Sequence, residues 1–144
     1  MDKHLSSVDK PWIKNYPSHI NWSTELHFSP IFDGLKKSSE INPNRDAIIF
    51  MGKKWTYEQT IVIVNKCISG LQKIGVKKGD RIAIALPNSP YYIFFFYACT
   101  AIGAIVVNIN PLHTVNDILE QVSITKPKII ITINVSDIFK KIDK

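Results

Sequence analysis

The sequence predicts an α/β fold: a partial doubly wound, mainly parallel sheet with flanking helices, preceded by an irregular N-terminal arm and a short β-hairpin. Three short apolar runs rich in β-branched residues, at 81–87, 104–109 and 128–133, alternate with segments of helical periodicity. Runs this apolar are typical of strands that are covered on both faces. Strands joined through helices pair in parallel by right-handed crossovers, so we expect helices on both faces of the sheet.

The composition is that of one globular domain. The chain has 144 residues, a formal charge of +6 and 45% hydrophobic residues, which is enough for a core without a disulfide or a metal. Cys67 and Cys99 lie in apolar surroundings and lack the spacing of a C-x-x-C pair or a metal cluster, so we expect core thiols. The N-terminus has no apolar signal region, which favours a reducing cytoplasm.

The lysines are spread along the chain as isolated doublets and do not form one basic run. They also do not interleave with aromatic residues, so the sequence gives little support for a nucleic-acid partner. This pattern is typical of a solvated lysine face. A mild attraction to an anionic membrane or ligand is the alternative.

Residues 1–29 predict an arm, because they are polar, carry prolines and show no hydrophobic period. Trp12 and Trp22 indicate that this arm docks on its own domain or on a neighbouring subunit. Ser29 and Pro30 then predict the N-cap and first position of a helix, which ends before Asn42-Pro43.

The segment DAIIFMGKKWTY predicts a hairpin, with strands at 46–51 and 54–57 around a turn at Gly52-Lys53. Thr56 stands three residues before Gln59, which is the spacing of a capping box, and the helix that follows is predicted to end at Gly75. The loop VKKGD leads into the strand RIAIALP.

The run YYIFFFYACTAIGAIVV, residues 91–107, is almost wholly apolar and could be mistaken for a membrane span. It is short for a bilayer, and Gly103 divides an aromatic-rich part from a β-branched part. We therefore expect a helix that starts at Asn88-Ser89-Pro90 and ends at Gly103, followed by a buried strand.

Thr114 and Asp117 predict a second capping box at the start of a helix that ends at Lys126-Pro127. The strand KIIITI follows, and SDIFKKI predicts the beginning of one more helix.

Residues that could carry chemistry are few. The six glycines form neither G-x-G-x-x-G nor a P-loop, and no G-x-S-x-G elbow is present. His113 follows a strand end, where open sheets often place ligands, but a surface loop position is the favoured interpretation. The carboxylates Asp80, Asp117 and Glu120 fit a turn, a cap and a helix surface, and no pair stands out as acid and base.

Five phrases follow one another much as in the opening segment of bacterial long-chain fatty acid CoA ligases, which the chain resembles from about Lys10 onward: KPWIKNYP, INPNRDAIIF, WTYEQT, VKKGDRIAIALPNSP and GAIVVNINPLHT. These ligases belong to the adenylate-forming superfamily. KKGDRIAIALPN occurs across that superfamily, whereas PW-x-K-x-YP and VVNINPL lean towards the long-chain ligases. The resemblance implies that residues 30–144 are the N-terminal part of a large AMP-binding domain.

The resemblance also implies a reaction for the full-length enzyme. A fatty acid carboxylate attacks the α-phosphate of Mg-ATP, pyrophosphate leaves, and the thiol of coenzyme A then attacks the acyl-adenylate. The family's phosphate loop, its acidic and ribose-binding residues and its C-terminal lysine match nothing in this sequence. No catalytic, cofactor-binding or metal residue is therefore transferred, and we expect the fragment alone to bind no cofactor and to be inactive.

Two departures from the family pattern leave the acyl substrate open: His113 replaces the tyrosine usual after Pro-Leu, and the box at Glu58-Gln59-Thr60 lacks its leucine. A sibling ligase for another carboxylic acid and a non-catalytic interaction module are the alternatives. Expected partners are the remainder of the ligase chain, a fatty acid in the full-length enzyme and a second copy bound through the arm. We expect no nucleic acid and, for a cytoplasmic protein, at most peripheral contact with the inner membrane.

Overall fold

The computed structural model describes residues 11–21, 24–25 and 28–134. A short 3₁₀ helix, Pro11–Asn15, lies in the arm that was expected to be irregular. The other elements, in chain order, are α1 (Ile31–Ile41), β1 (Asp46–Phe50), β2 (Lys53–Thr56), α2 (Tyr57–Lys73), β3 (Arg81–Ala85), α3 (Pro90–Ile102), β4 (Ile105–Asn108), α4 (Val115–Thr125) and β5 (Ile129–Thr132).

Strand β3 lies at the centre of a three-stranded sheet and pairs in parallel with β4 on one side and β5 on the other. The connection through α3 leads to one neighbour and the connection through α4 leads to the other. The first crossover runs from β3 to β4, and the second runs back from β4 past β3 to β5. Because the two right-handed crossovers move across the sheet in opposite directions, their helices pack on opposite faces. The predicted, mainly parallel α/β fold is confirmed, and β1 and β2 form the predicted antiparallel hairpin.

The side chains of β3 alternate between two cores. Ile82 and Ile84 belong to the larger core, which α1, α2 and α3 complete, and Ala83 and Ala85 belong to a smaller core that contains Ile118 of α4. All four strand residues are at most 1% exposed. The large residues therefore face the thick helical layer and the small residues face the single helix.

The outer strands differ from the expectation that all three strands are buried. Ile105 at the start of β4 is 52% exposed, and every residue of β5 is half-buried. Within the described residues each outer strand has a neighbour on one side only. The prediction of full burial is right for β3 and wrong for β4 and β5, because an apolar run indicates a strand but not its position in the sheet.

Both predicted capping boxes are present. The hydroxyl of Thr56 accepts from the backbone N–H of Gln59, whose side chain accepts in return from the N–H of Thr56. Thr114 and Asp117 make the same reciprocal pair at the start of α4. These bonds satisfy amide groups that a helix start otherwise leaves unpaired.

Two boundaries lie one residue away from their predicted positions. Pro30, and not Ser29, occupies the N-cap of α1, without a side-chain cap hydrogen bond. The hairpin turn is at Met51-Gly52, both with positive φ (49° and 78°), and not at Gly52-Lys53. A tight hairpin of this hand requires positive φ at both central residues, and glycine supplies only one of them.

Helix α3 holds the aromatic run and ends where predicted. Gly103 adopts a left-handed conformation with φ of 79°, and its N–H bonds to carbonyls of the last turn. A Cβ placed on Gly103 would lie nearest to the side chain of Lys78, in the loop before β3. None of the described helices is both long and apolar enough to cross a membrane.

The loop between α2 and β3 is held by Asp80. Its carboxylate accepts a hydrogen bond from the backbone N–H of Lys77 at 2.8 Å and forms an ion pair with Nζ of Lys128 at 2.7 Å. Nζ of Lys128 also donates to the carbonyl of Gly75 at 2.6 Å. The expected turn role of Asp80 is confirmed, and the ion pair additionally fixes the start of β5 to this loop.

The arm and the end of the chain are only partly described. Trp12 is 48% exposed. Trp22 and the helix predicted at SDIFKKI lie outside the described residues.

Replacing glycine by alanine at two positions should distinguish backbone strain from helix propensity. Gly103→Ala should lower the free energy of unfolding by about 1–2 kcal/mol, because alanine is strained at positive φ and its Cβ would lie 3.0 Å from Cγ of Lys78. Gly70→Ala, within α2 and with open space around it, should instead raise that free energy by about 0.5–1 kcal/mol. Urea unfolding followed by circular dichroism measures both, and equal effects of the two variants would contradict the strain argument.

The ion pair of Asp80 should make stability depend on pH. The hydrogen bond from Lys128, then that from the N–H of Lys77, lowers the pKa of Asp80. A carboxyl whose folded pKa lies below its unfolded pKa of about 3.9 stabilises above that value and loses this contribution as the pH falls through the folded pKa. Asp80→Asn should therefore lower the thermal midpoint at pH 7 and have little effect in strong acid.

The matched control is the same substitution in a Lys128→Met background, where Asp80→Asn should lower the midpoint less at pH 7 because the ion pair is already absent. An equal loss at both pH values, or in both backgrounds, would show that this ion pair does not stabilise the fold.

Candidate functional site

A cleft of about 600 Å³ lies at the carboxyl ends of β3 and β4. It is lined by the segment that leaves β3, by one residue from the first turn of α3 and by the segment that leaves β4. Its lining residues are Ile84, Leu86, Pro87, Asn88, Tyr92, Asn108, Ile109, Asn110, Pro111, Leu112 and His113.

The topology produces this cleft. After β3 the chain turns to α3 on the side of the larger core, and after β4 it turns to α4 on the side of the smaller core. Adjacent parallel strands whose connections leave towards opposite faces open a crevice at their carboxyl ends, and open α/β sheets bind ligands there. The cleft therefore follows from the strand order and does not depend on one special loop.

Hydrogen bonds fix both walls. The hydroxyl of Tyr92 donates to Oδ1 of Asn108 at 2.9 Å, which joins the start of α3 to the end of β4. Oδ1 of Asn110 accepts from the N–H of Leu112 at 3.0 Å, and the carbonyl of Asn110 accepts from the N–H of His113 at 3.1 Å. The asparagine closes a tight turn with its own side chain, so this loop enters α4 in one defined conformation.

His113 stands half-buried in the cleft wall, directly before the cap of α4. The hydrogen bonds from Thr114 are the main reason that the pKa of Asp117 is lowered, and the nearby His113 adds a smaller favourable charge. The structure thus brings His113 to the cleft. Asp117 acts as the expected cap, and Asp80 lies at the opposite ends of the strands.

A second groove, of about 410 Å³, separates the hairpin from the start of α3. Its walls are mainly apolar and include Ile48, Ile49 and Phe50 of β1. Oγ of Ser89, at the N-cap of α3, is buried here without a hydrogen-bond partner among the described residues. Asn88 and Tyr92 line both this groove and the cleft, so the two are adjacent.

The cleft can orient a ligand through amides, one imidazole and apolar contacts. None of its lining residues is Asp, Glu, Lys or Arg. Burial raises the pKa of the Cys99 thiol to about 11 and also raises that of Cys67, so neither is an activated nucleophile. Cys99 is fully buried, as expected of a core thiol, and Cys67 is half-buried.

The described residues do not fit a magnesium or nucleotide-phosphate site. Magnesium prefers carboxylate oxygens, and no cluster of three or more possible metal ligands occurs in the described part of the chain. Glycines with positive φ stand singly at turns, as at Gly75 and Gly103, and do not form the consecutive N–H array that cradles a phosphate.

Sequence reasoning identified one cleft residue and missed most of the others. His113 was considered, whereas Tyr92, Asn108 and Asn110 were not. The sequence did contain a signal for the cleft, namely a polar side chain close to the end of each of two strands. The carboxyl ends of neighbouring parallel strands meet at one edge of the sheet, so these side chains lie near one another. The order of the strands, which the sequence does not state, was needed to bring these residues together.

Comparison with known proteins agrees with this architecture. A sequence profile described as AMP-binding enzyme matches residues 35–144. A long-chain-fatty-acid–CoA ligase of Bacillus subtilis is 34% identical over 87% of this chain. A 4-coumarate–CoA ligase of Petroselinum crispum is 40% identical over 56% of this chain. The chain spans only 22% and 15% of the lengths of these two relatives.

A solved structure gives the same result. The fatty acyl CoA synthetase of Mycobacterium tuberculosis superposes with a TM-score of 0.74 at 27% identity, covering 79% of this chain and 23% of that protein. The profile match, the relatives and the shared parallel sheet together show that the chain belongs to the AMP-binding enzyme family of adenylate-forming ligases.

Proposed function

We propose that this chain is the N-terminal part of a ligase that activates a long-chain fatty acid with ATP and transfers the acyl group to coenzyme A. In this proposal residues 1–29 are an arm and residues 30–144 begin the large AMP-binding domain. The full-length protein acts in the cytoplasm and uses Mg²⁺. The charged groups of the reaction come from the remainder of the ligase chain, because the described residues do not fit a phosphate or magnesium site.

One observation carries the choice of substrate. The phrases PW-x-K-x-YP and VVNINPL lean towards the long-chain ligases, and the Bacillus ligase, which is named for long-chain fatty acids, matches 87% of this chain. The width of the match does not separate the two substrates, because a 4-coumarate ligase of Vanilla planifolia matches 83% of the chain at 35% identity. The cleft lining, which is about half apolar and contains no Asp, Glu, Lys or Arg, also suits one wall of a site for an apolar substrate.

An aromatic acid is the second candidate substrate. Over its shorter stretch the 4-coumarate ligase reaches 40% identity, which is higher than the 34% of the fatty acid ligase. Tyr92 and the half-buried Phe96 stack with ring centroids 6.0 Å apart, and Tyr92 lines the cleft. An aromatic wall of this kind would also accept a planar ring.

The exchange of labelled pyrophosphate into ATP tests the activity. In the full-length protein that contains this segment, a long-chain fatty acid should stimulate exchange more than about tenfold over 4-coumarate, because an acyl site distinguishes substrates by how well they fill it. The chain that ends at Lys144 serves as the control and should give no acid-dependent exchange. Stronger stimulation by 4-coumarate would select the second candidate, and no stimulation by any acid would contradict both.

We also infer that the arm joins two copies of the protein. Trp12, Tyr16 and Ile20 are between 42% and 50% exposed, and apolar side chains exposed together commonly mark an interface. In this proposal the arm of each copy lies on the other.

Removal of these contacts should dissociate the dimer. The double variant Trp12→Ala/Ile20→Ala should sediment as a monomer at concentrations where the unchanged protein is dimeric, because each substitution removes apolar area from the contact. Tyr91→Ala, an exposed aromatic position outside the arm, is the matched control and should remain dimeric. A clean monomer for the unchanged protein at high concentration would contradict the arm contact.

A further inference from the structure

Exposed basic side chains gather at the amino ends of the parallel strands, on the side of the sheet away from the cleft. They come from the end of α2, the loop before β3, the start of β3 and the segment between α4 and β5. We call this surface the basic pole, and it consists of Lys73, Lys77, Lys78, Arg81, Lys126 and Lys128.

Hydrogen bonds between the loops hold the basic pole together. The N–H of Gly79 donates to the carbonyl of Gly103 at 2.9 Å, and the N–H of Lys128 donates to the carbonyl of Arg81 at 2.7 Å. Nε of Arg81 donates to the carbonyl of Lys126 at 3.4 Å. The cations therefore belong to one connected surface, although Lys73 and Lys128 are far apart in the sequence.

The basic pole concentrates the charge of the chain. The segments 73–81, 103–105 and 124–128 hold six cationic side chains and one carboxylate, Asp80, which leaves an excess of five positive charges. The whole chain has a net charge of +6. Lysine doublets that are dispersed in the sequence thus form a predominantly positive patch in the fold, and such a patch attracts anionic surfaces.

Exposed isoleucines occur in the same three segments as these cations. Ile74 at the end of α2 is 62% exposed, Ile105 at the start of β4 is 52% exposed and Ile124 in the last turn of α4 is 73% exposed. The three segments contain no aromatic residue. Binding of single-stranded nucleic acid relies on aromatic stacking, whereas aliphatic side chains beside lysines suit the headgroup–acyl boundary of a bilayer.

We propose that the basic pole docks the protein on a lipid bilayer that carries anionic headgroups. The lysines bind the headgroups, and the isoleucines enter the boundary beneath them. Because the cleft lies at the carboxyl ends of the same strands, docking leaves it facing away from the bilayer. This proposal is independent of the proposed ligase activity, because it requires no nucleotide and no acid.

Vesicle sedimentation of the full-length protein tests whether the lysines of the basic pole bind anionic headgroups. Binding to phosphatidylcholine vesicles should appear when phosphatidylglycerol is included and should weaken as salt is added. Lys77→Gln/Lys78→Gln/Lys126→Gln should weaken it by about a hundredfold, since each basic residue near an anionic surface contributes a factor of about five. Lys128 is left unchanged because it binds Asp80.

The matched control removes the same charge elsewhere. Lys36→Gln/Lys37→Gln/Lys53→Gln changes exposed lysines of α1 and β2, outside the basic pole, and should bind the anionic vesicles almost like the unchanged protein. Equal losses in both triple variants would overturn the proposal, because net charge alone would then explain the binding. Equal affinity for vesicles with and without phosphatidylglycerol would overturn it as well.

The contribution of the isoleucines is measured as the vesicle binding that persists in high salt, where the attraction between lysines and headgroups is screened. Ile74→Ser/Ile124→Ser should abolish that remainder, whereas Ile41→Ser/Ile49→Ser, at positions of similar exposure in α1 and β1, should not. A gel-shift titration with DNA at the same salt provides the competing outcome. Tighter binding to DNA than to anionic vesicles would assign the basic pole to nucleic acid and reject the bilayer.

Discussion

The fold depends on the unequal sides of strand β3. Its isoleucines, Ile82 and Ile84, fill a core built by three helices, while Ala83 and Ala85 allow a single helix to approach the other face. Each buried isoleucine contributes roughly 1.5–3 kcal/mol by removal from water. Exchange of the two residue types would overfill the thin side and leave voids on the thick side, so this alternation fixes which face each crossover helix covers.

The two ends of the sheet consequently have different properties. At the carboxyl ends, loops diverge towards opposite faces and leave a cleft lined by amides, a tyrosine and apolar side chains. At the amino ends, the loops converge and bond to one another, with Asp80 and Lys128 at the centre. The converging end is held by charges and backbone bonds, and the diverging end is open to a ligand.

The local elements could be predicted from the sequence, and their arrangement could not. Threonine caps at Thr56 and Thr114, and the helix stop at Gly103, follow from chemistry within a few residues, so they were predicted correctly. The exposure of Ile105 depends on β4 being an outer strand, and the bond between Tyr92 and Asn108 depends on the strands being neighbours. Such facts belong to the order β4-β3-β5, which no local pattern encodes.

The burial of Cys99 has a practical consequence for kinetic studies of this fold. Its thiol is 0% exposed, and with a pKa of about 11 it remains protonated at neutral pH. An alkylating reagent requires a thiolate in contact with solvent, so it can modify Cys99 only after α3 separates from the sheet. The half-buried Cys67 on α2 provides an earlier reporter, and the ratio of the two labelling rates distinguishes local fraying from opening of the whole core.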